Sequence, residues 1–203
     1  MVKRLISRQV AILLFLLSST CFLKAQDFQQ LDPIAHEGYE VKENKIYFRI
    51  GNAGLILEAA TPESIAQYYT DRGAKMMGDP FPSLVPELQN STIFILTLIN
   101  RTHGSFTFSP NYAALHDQTE AFFPLDVALL LPTLDAIDQH TKRILEASLF
   151  GISETVPAGK TVTKFLIYTA LPKKSKTFEL EFSNLFLGTT EVRQLFYFQR
   201  ANK

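Results

Sequence analysis

The segment that most constrains the fold runs from Ile93 to Ile99, where only Thr97 interrupts a series of large apolar side chains. A strand that is apolar on both faces is typical of the buried centre of a packed sheet. Shorter alternating runs surround it; in Lys45–Ile50, every second residue is Ile or Phe. Several short strands separated by turn residues favour an antiparallel sandwich over a parallel sheet. The sequence therefore predicts a mainly β fold with about seven to nine strands.

A first helical signal interrupts this β pattern at Thr61-Pro62-Glu63. Threonine caps helices, proline suits the first helical position, and an acidic side chain is favourable in the first turn. Gly73 is suited to end the helix. The sequence therefore predicts a helix over 62–72.

A second helical signal lies in the segment 125–150. Leu134, Ile137 and Ile144 recur at helical spacing, and the charged residues lie off this stripe. We predict a helix over about 133–148 and interpret both helices as insertions into the β fold. The stripe has two explanations, a contribution to the core or an interaction surface.

Beyond the N-terminal residues, the chain has the pattern of a single domain. Residues 26–40 are polar, contain Asp32-Pro33, and are predicted to form an irregular leader. Residues 41–203 are predicted to form one β-sandwich domain, because no repeat, low-complexity run or linker divides them. The 17 phenylalanines are expected to fill the space between two sheets.

The N-terminal residues have the three parts of a secretory signal. Basic residues precede the apolar run Val10–Leu17, and a small residue, Ala25, stands at a plausible cleavage point. The apolar stretch is shorter than the roughly twenty residues that a membrane-spanning helix needs. We therefore predict that 1–25 are a signal peptide. The protein is then exported to the periplasm, the outer envelope or the medium, with no stable membrane anchor after cleavage.

The single cysteine, Cys21, falls within this predicted signal. A lipidation box would place the cysteine closer to Leu17 than it stands here, and Thr20 is a poor residue before it. Lipidation therefore stays open as an alternative. Cleavage after Ala25 leaves no cysteine, and hence no disulfide, thiol nucleophile or thiolate metal site.

Cleavage also changes the charge. Loss of Lys3, Arg4, Arg8 and Lys24 leaves 16 basic residues against 20 acidic ones, a net charge of −4. This balance argues against a nucleic-acid partner, which a basic face would recognise. It argues equally against electrostatic capture by anionic membranes.

The common catalytic and cofactor motifs are incomplete. Ala158-Gly159-Lys160-Thr161 ends like a phosphate-binding loop, but Glu154 stands where that loop needs its first glycine, so we interpret the segment as a turn before a strand. The four histidines form no compact metal-binding pair, and the segment 151–155 lacks the closing glycine of a nucleophile elbow. We therefore predict no catalytic, metal or cofactor residue. We treat the glycosylation sequons at Asn90 and Asn100 as chance matches.

The C-terminal third carries a family resemblance. Val156–Val162 contains a Pro-Gly turn leading into a strand, Phe165–Tyr168 continues that strand, and Leu171-Pro172 ends it before Phe178–Phe182. This layout resembles the closing half of secreted bacterial immunoglobulin-like, telokin-like β-sandwich domains. The resemblance implies an antiparallel immunoglobulin-like sandwich and a role in binding or assembly. It implies no catalytic residues.

These observations lead to three hypotheses. The first is an exported, non-catalytic module that binds another envelope or extracellular protein, with Leu134, Ile137 and Ile144 as candidate interaction surface. The second is a secreted hydrolase whose Ser, His and Asp come from separated loops. The third is a carrier that holds an apolar ligand between the sheets.

Overall fold

The computed structural model describes residues 30–73, 90–126 and 139–201, which contain two antiparallel sheets. The seven-stranded sheet consists of β1 (Leu31–Pro33), β6 (Phe106–Phe108), β7 (Ala113–His116), β8 (Ala121–Phe122), β9 (Glu154–Val156), β11 (Thr177–Leu187) and β12 (Thr190–Arg200). The five-stranded sheet consists of β2 (Glu40–Lys42), β3 (Lys45–Ile50), β4 (Ala53–Ala59), β5 (Thr92–Asn100) and β10 (Thr161–Tyr168). The helices are α1 (Pro62–Thr70) and α2 (Gln139–Ser148), and a 3₁₀ turn covers Pro110–Tyr112. The prediction of a mainly β, antiparallel fold is confirmed. The described residues contain twelve strands, more than the seven to nine predicted, because several strands have only two or three residues and show no period.

The five-stranded sheet has the order β10-β5-β4-β3-β2. Its two N-terminal hairpins have two-residue turns, with positive φ at Glu43 and Asn44 in the first and at Gly51 in the second. Such turns match the twist of the flanking strands. The strand predicted from Ile93–Ile99 is β5, which lies inside this sheet between β4 and β10.

The seven-stranded sheet is organised by the long hairpin β11-β12. A register shift between Phe182 and Leu185 divides β11 into two halves. The first half pairs with β7 and the second with β6. Strand β1 extends the sheet beyond β12, β9 extends it beyond β6, and β8 pairs with β7.

Aromatic side chains fill the space between the two sheets. Phe94 of the five-stranded sheet contacts Phe198 of the other, with ring centroids 5.0 Å apart. Phe182 contacts both Phe108 and Phe196, at 5.1 Å and 5.3 Å. The tilted and edge-on ring arrangements are those that aromatic quadrupoles favour. This cluster accounts for much of the phenylalanine content, as the sequence predicts.

A second apolar cluster lies on the other face of the five-stranded sheet, under the two helices. Its buried members are Ala60, Ile65, Tyr68, Tyr69, Ile93, Ile95, Leu145, Leu149, Phe165 and Ile167. Strand β5 therefore contributes even-numbered residues to the inter-sheet core and odd-numbered ones to the helix-covered cluster. This is why it is apolar on both faces. The predicted burial of Ile95 and Leu98 is confirmed.

Helix α1 starts at the predicted signal. The Thr61 hydroxyl accepts a hydrogen bond from the Ser64 N–H, and the Ser64 hydroxyl accepts one from the Thr61 N–H. This reciprocal capping box satisfies donors that a helix start leaves free. α1 lies within the predicted range 62–72. α2 lies within the range 133–148, of which residues 133–138 are outside the described residues.

The segment predicted as an irregular leader contains a strand instead, since Leu31–Pro33 pairs with the end of β12. Leu31 is fully buried in the inter-sheet core. The Tyr39 hydroxyl accepts a hydrogen bond from the Tyr197 N–H and donates one to the Ile34 carbonyl, which joins the segment to β12. A three-residue edge strand shows no periodicity, and Pro33 is tolerated because it lies at the edge. The polar composition of this segment therefore gave no indication of the strand.

Two side chains form hydrogen bonds between the sheets. The Tyr168 hydroxyl donates to the Ala113 carbonyl at 2.8 Å. The Asn100 amide donates to the carbonyls of Val156 and Gly104, and its oxygen accepts from Thr102. Because Asn100 is fully buried and its amide is saturated, it is no acceptor for a glycan in the folded protein.

Candidate functional site

A groove opens where β7 ends and β11 begins, at one end of the seven-stranded sheet. We call it the loop groove. Its volume is about 520 Å³, within the range of ligand-binding pockets. Two loops form it, 117–120 between β7 and β8, and 172–176 before β11. The lining residues are Asp117, Gln118, Thr119, Glu120, Pro172, Lys174, Ser175, Lys176 and Thr177.

Asp117 joins the two loops. Its carboxylate accepts hydrogen bonds from the N–H groups of Thr119 and Glu120, at 2.7 Å and 2.9 Å, which closes the first loop. It also accepts from the Ser175 hydroxyl of the second loop at 2.5 Å. These bonds, that from Ser175 foremost, hold the pKa of Asp117 well below its usual range. Asp117 is therefore ionised at every physiological pH.

Arg200, the last residue of β12, braces the second loop from the other side. Its guanidinium donates to the Pro172 carbonyl at 2.8 Å and to the Ser175 carbonyl at 3.1 Å. The same group lies 5.6 Å from the centre of the Phe178 ring, in cation–π range. The Ser175 N–H donates to the Pro172 carbonyl and closes the turn. Both loops are therefore fixed to the sheet by side-chain hydrogen bonds.

The remaining polar groups of the groove are available to a ligand. Among the described residues, Lys174 and Lys176 have no ion-pair partner, and the side chains of Gln118 and Thr177 have no hydrogen-bond partner. Lys174, Lys176, Gln118 and Thr177 are all exposed. The groove can therefore offer cations, an amide and a hydroxyl without first breaking an internal contact.

The same geometry is poorly suited to hydrolysis. The Ser175 hydroxyl donates to Asp117, and the lining residues include no histidine that could take its proton. Asp117 is no proton donor near neutral pH, because its pKa is held low. The arrangement positions loops and supplies polar contacts.

The sequence neighbours His116 and Asp117 do not act together. Asp117 faces the groove, whereas His116 lies on the outer face of the seven-stranded sheet, with Nε2 3.7 Å from Glu181 Oε2. Arg193 Nε lies 2.7 Å from Glu181 Oε1 on the same face. The outer face of this sheet is thus charged and exposed, unlike the helix-covered face of the five-stranded sheet.

The predicted interaction residues are described only in part. Ile144 lies on α2, partly exposed, and packs against the cluster beneath the helices. Leu134 and Ile137 lie outside the described residues. The buried neighbours Leu145 and Leu149 show that this part of the stripe serves as core. That the rest of the stripe binds a partner stays a prediction.

The other motifs are placed as follows. Gly159 has a φ of +72° and Lys160 N–H donates to the Pro157 carbonyl, so the segment resembling a phosphate loop is a turn before β10. In the described ranges, no group of three metal-ligating side chains is found. Within those same ranges, no helix is long and apolar enough to cross a membrane.

No family model and no curated protein matches the chain. Among solved structures, the yjhA protein from Bacillus subtilis is similar, with 14% sequence identity and a TM-score of 0.40. The match covers 73% of this chain and 93% of that chain. At this TM-score the likeness does not establish a shared fold or function.

The sequence pattern alone does not bring the two groove loops together. The signals were present locally: Asp117 two residues before Thr119 is typical of a side-chain-capped turn, and three lysines lie between 173 and 176. Their juxtaposition depends on the pairing of β7 with β11, which joins residues about sixty positions apart.

Proposed function

We propose that the protein is an exported, non-catalytic binding module of immunoglobulin-like β-sandwich fold. Its partner is another envelope or extracellular protein, which it contacts through the loop groove. The export signal and the resemblance of the C-terminal third to secreted binding domains support this proposal. So does the two-sheet, antiparallel architecture.

The observation that carries the proposal is the bracing of the groove. Asp117 and Arg200 together hold both loops with hydrogen bonds, while the side chains of Lys174, Lys176 and Gln118 have no partner within the described part of the chain. A site fixed before binding loses less conformational entropy when a ligand orders it. Loops positioned by a rigid sheet are also the common location of binding residues.

The α2 face is a second candidate surface for the same function. Ile144 is partly exposed even though it packs against the cluster below. A partner that covered Ile144 would bind the helical layer instead of the groove. The two surfaces are distinguishable by where a bound partner touches the protein.

Site-specific photo-crosslinking in the native host tests the choice. A photoreactive residue replaces Gln118 in the groove, Ile144 on α2, or Glu63 on α1 as an exposed control. We expect a discrete protein adduct from position 118 and none from position 63. Adducts from position 144 alone would contradict the groove as the binding surface. Turnover of an ester, peptide or glycoside, abolished by changing one Ser, His or Asp, would contradict the non-catalytic assignment.

A further inference from the structure

Among the described residues, the lysines of the second groove loop differ from Lys45 and Lys164 of the five-stranded sheet. Lys173, Lys174 and Lys176 are exposed and have no ion-pair partner among the described residues. By contrast, Lys45 and Lys164 each form an ion pair with a glutamate at 2.8 Å and 2.6 Å. These three lysines lie within four residues beside the groove, and no acidic side chain pairs with them among the described residues.

The second groove loop is positive although the mature chain is predicted to be acidic. It carries Lys173, Lys174 and Lys176 and no acidic residue, whereas the first loop contributes Asp117 and Glu120, so the lining residues together hold two lysines and two acids. The mature chain as a whole is expected to carry −4. A local field of opposite sign to the rest of the protein attracts an anionic ligand to that place and disfavours it elsewhere.

The side-chain groups of the groove suit a peptide. Many phosphate sites use clusters of backbone N–H groups or bidentate arginine, and lysine also binds phosphate as a point charge. Here the N–H groups of Thr119, Glu120 and Ser175 already have internal acceptors, and Arg200 is bound to backbone carbonyls. The lysine side chains, the Gln118 amide and the Thr177 hydroxyl can pair with the carboxylates and amides of a peptide.

A membrane surface is a weaker fit. Polybasic membrane-binding segments have about four to eight basic residues, more than this loop has, and the acidic remainder of the chain would be repelled. The volume of about 520 Å³ also exceeds what a single small anion fills.

We propose that the loop groove binds an acidic peptide segment of the partner protein, with Lys174 and Lys176 pairing with its carboxylates. This inference rests on the proposed function and specifies its ligand. Such ion pairs are solvent-exposed, so the affinity falls as salt rises.

The test is a nuclear magnetic resonance titration of the isotope-labelled protein with an oligoglutamate peptide. Oligolysine, inorganic phosphate and vesicles of anionic phospholipid are the comparison probes. We expect saturable shifts confined to the amides of 117–120 and 172–177, with oligoglutamate alone. In the double variant Lys174→Glu and Lys176→Glu, the dissociation constant rises about tenfold or more, the equivalent of about 1.4 kcal/mol.

The matched control is the double variant Lys42→Glu and Lys160→Glu, which changes the net charge equally at two exposed lysines away from the groove. Its dissociation constant stays within about twofold of the wild type if the site is local. Equal weakening in both double variants, or saturation of the same amides by oligolysine, phosphate or vesicles, would overturn the proposal. A thermal midpoint unchanged in both variants shows that each is folded.

The outcome also separates this inference from the proposed function. An adduct from position 118 without oligoglutamate binding leaves the binding module in place and rejects the acidic ligand. Failure of both experiments rejects the groove as a binding site.

Discussion

The two sheets differ in what lies on their outer faces. On the five-stranded sheet, α1 and α2 cover an apolar cluster, and the free edge of β10 is protected as well. There, Leu125 N–H donates to the Ile167 carbonyl at 2.8 Å, and the Tyr68 hydroxyl donates to Thr163 at 3.0 Å. On the seven-stranded sheet, the outer face carries exposed charges such as Glu179 and Arg193. The five-stranded sheet is therefore buried on both faces at β5 and β10. Its outer face at β2 and β3 carries exposed side chains such as Glu40, Lys42 and Arg49, and the seven-stranded sheet is buried on one face.

The two regions therefore differ in how closely their side chains are packed. Where the helices cover the five-stranded sheet, the side chains of β5 and β10 pack on both faces and are constrained by their neighbours. The seven-stranded sheet keeps polar side chains outside and presents the loop groove at its end. We expect the helix-covered region to stabilise the fold, and under the proposed function the loop groove presents its polar groups to a partner.

The largest losses of stability are expected from truncating buried apolar side chains. Replacing Leu98, which faces the inter-sheet core, or Ile95, which faces the helices, with Ala should each cost about 2–5 kcal/mol. In β11, Leu180→Ala should cost a similar amount, whereas Glu179→Ala, at an exposed position, should cost less than about 1 kcal/mol. Denaturant unfolding measures all four. If Ile95→Ala left the free energy of unfolding nearly unchanged, the helical layer would not bury that face.

The buried amide of Asn100 should be nearly as sensitive. Asn100→Ala removes the side-chain donor to the carbonyls of Val156 and Gly104. We expect the free energy of unfolding to fall by about 2–4 kcal/mol. Asn111→Ala, at an exposed position, is the matched control and should stay within about 0.5 kcal/mol. Equal stabilities of the two variants in chemical denaturation would remove Asn100 as a link between the sheets.

The Tyr168 hydroxyl offers a smaller test of the same link. Tyr168→Phe keeps the buried ring and deletes only the hydrogen bond to Ala113, so about 1–2 kcal/mol should be lost. Burial raises the pKa of this hydroxyl well above its usual value, so it stays a donor in neutral and mildly alkaline solution. Thermal unfolding of Tyr168→Phe at the wild-type midpoint would contradict this role.

The smallest effect at neutral pH, and the most specific one, concerns the groove. The pKa of Asp117 is lower in the folded state than its unfolded value of about 3.9. The contribution of ionised Asp117 to the free energy of unfolding is therefore complete above that pH and is lost as the pH falls. The wild-type thermal midpoint should therefore drop more steeply below about pH 4 than that of Asp117→Asn. Ser175→Ala, which removes one donor, should lie between them. Parallel curves for all three proteins would mean that Asp117 does not brace the loops.

Most elements with a clear local pattern were predictable from the sequence. The pattern of β5 indicated burial on both faces, and Thr61-Pro62 marked the start of α1. Strands β1 and β2 have three residues each, too few for a period, and the Glu43-Asn44 turn lacks the usual glycine. Short strands of this kind form because their neighbours are already in place.

The candidate site was predictable only in its parts. Asp117 belongs to one turn and Ser175 to another, and each turn has recognisable residues. Their contact is set by long-range strand pairing, for which the local sequence carries no signal. The same holds for Arg200, whose groove contacts follow from the register of β11 with β12.

Hydrogen-exchange mass spectrometry compares the loop groove and the helical layer in one measurement. The protein is measured free and bound to the partner captured from position 118. We expect slower exchange on binding in peptides that cover 116–121 and 171–177. Exchange in α2 should be unchanged, because the helical layer serves the fold. Protection confined to residues 139–148, with the groove loops unaffected, would contradict the assignment of binding to the loop groove.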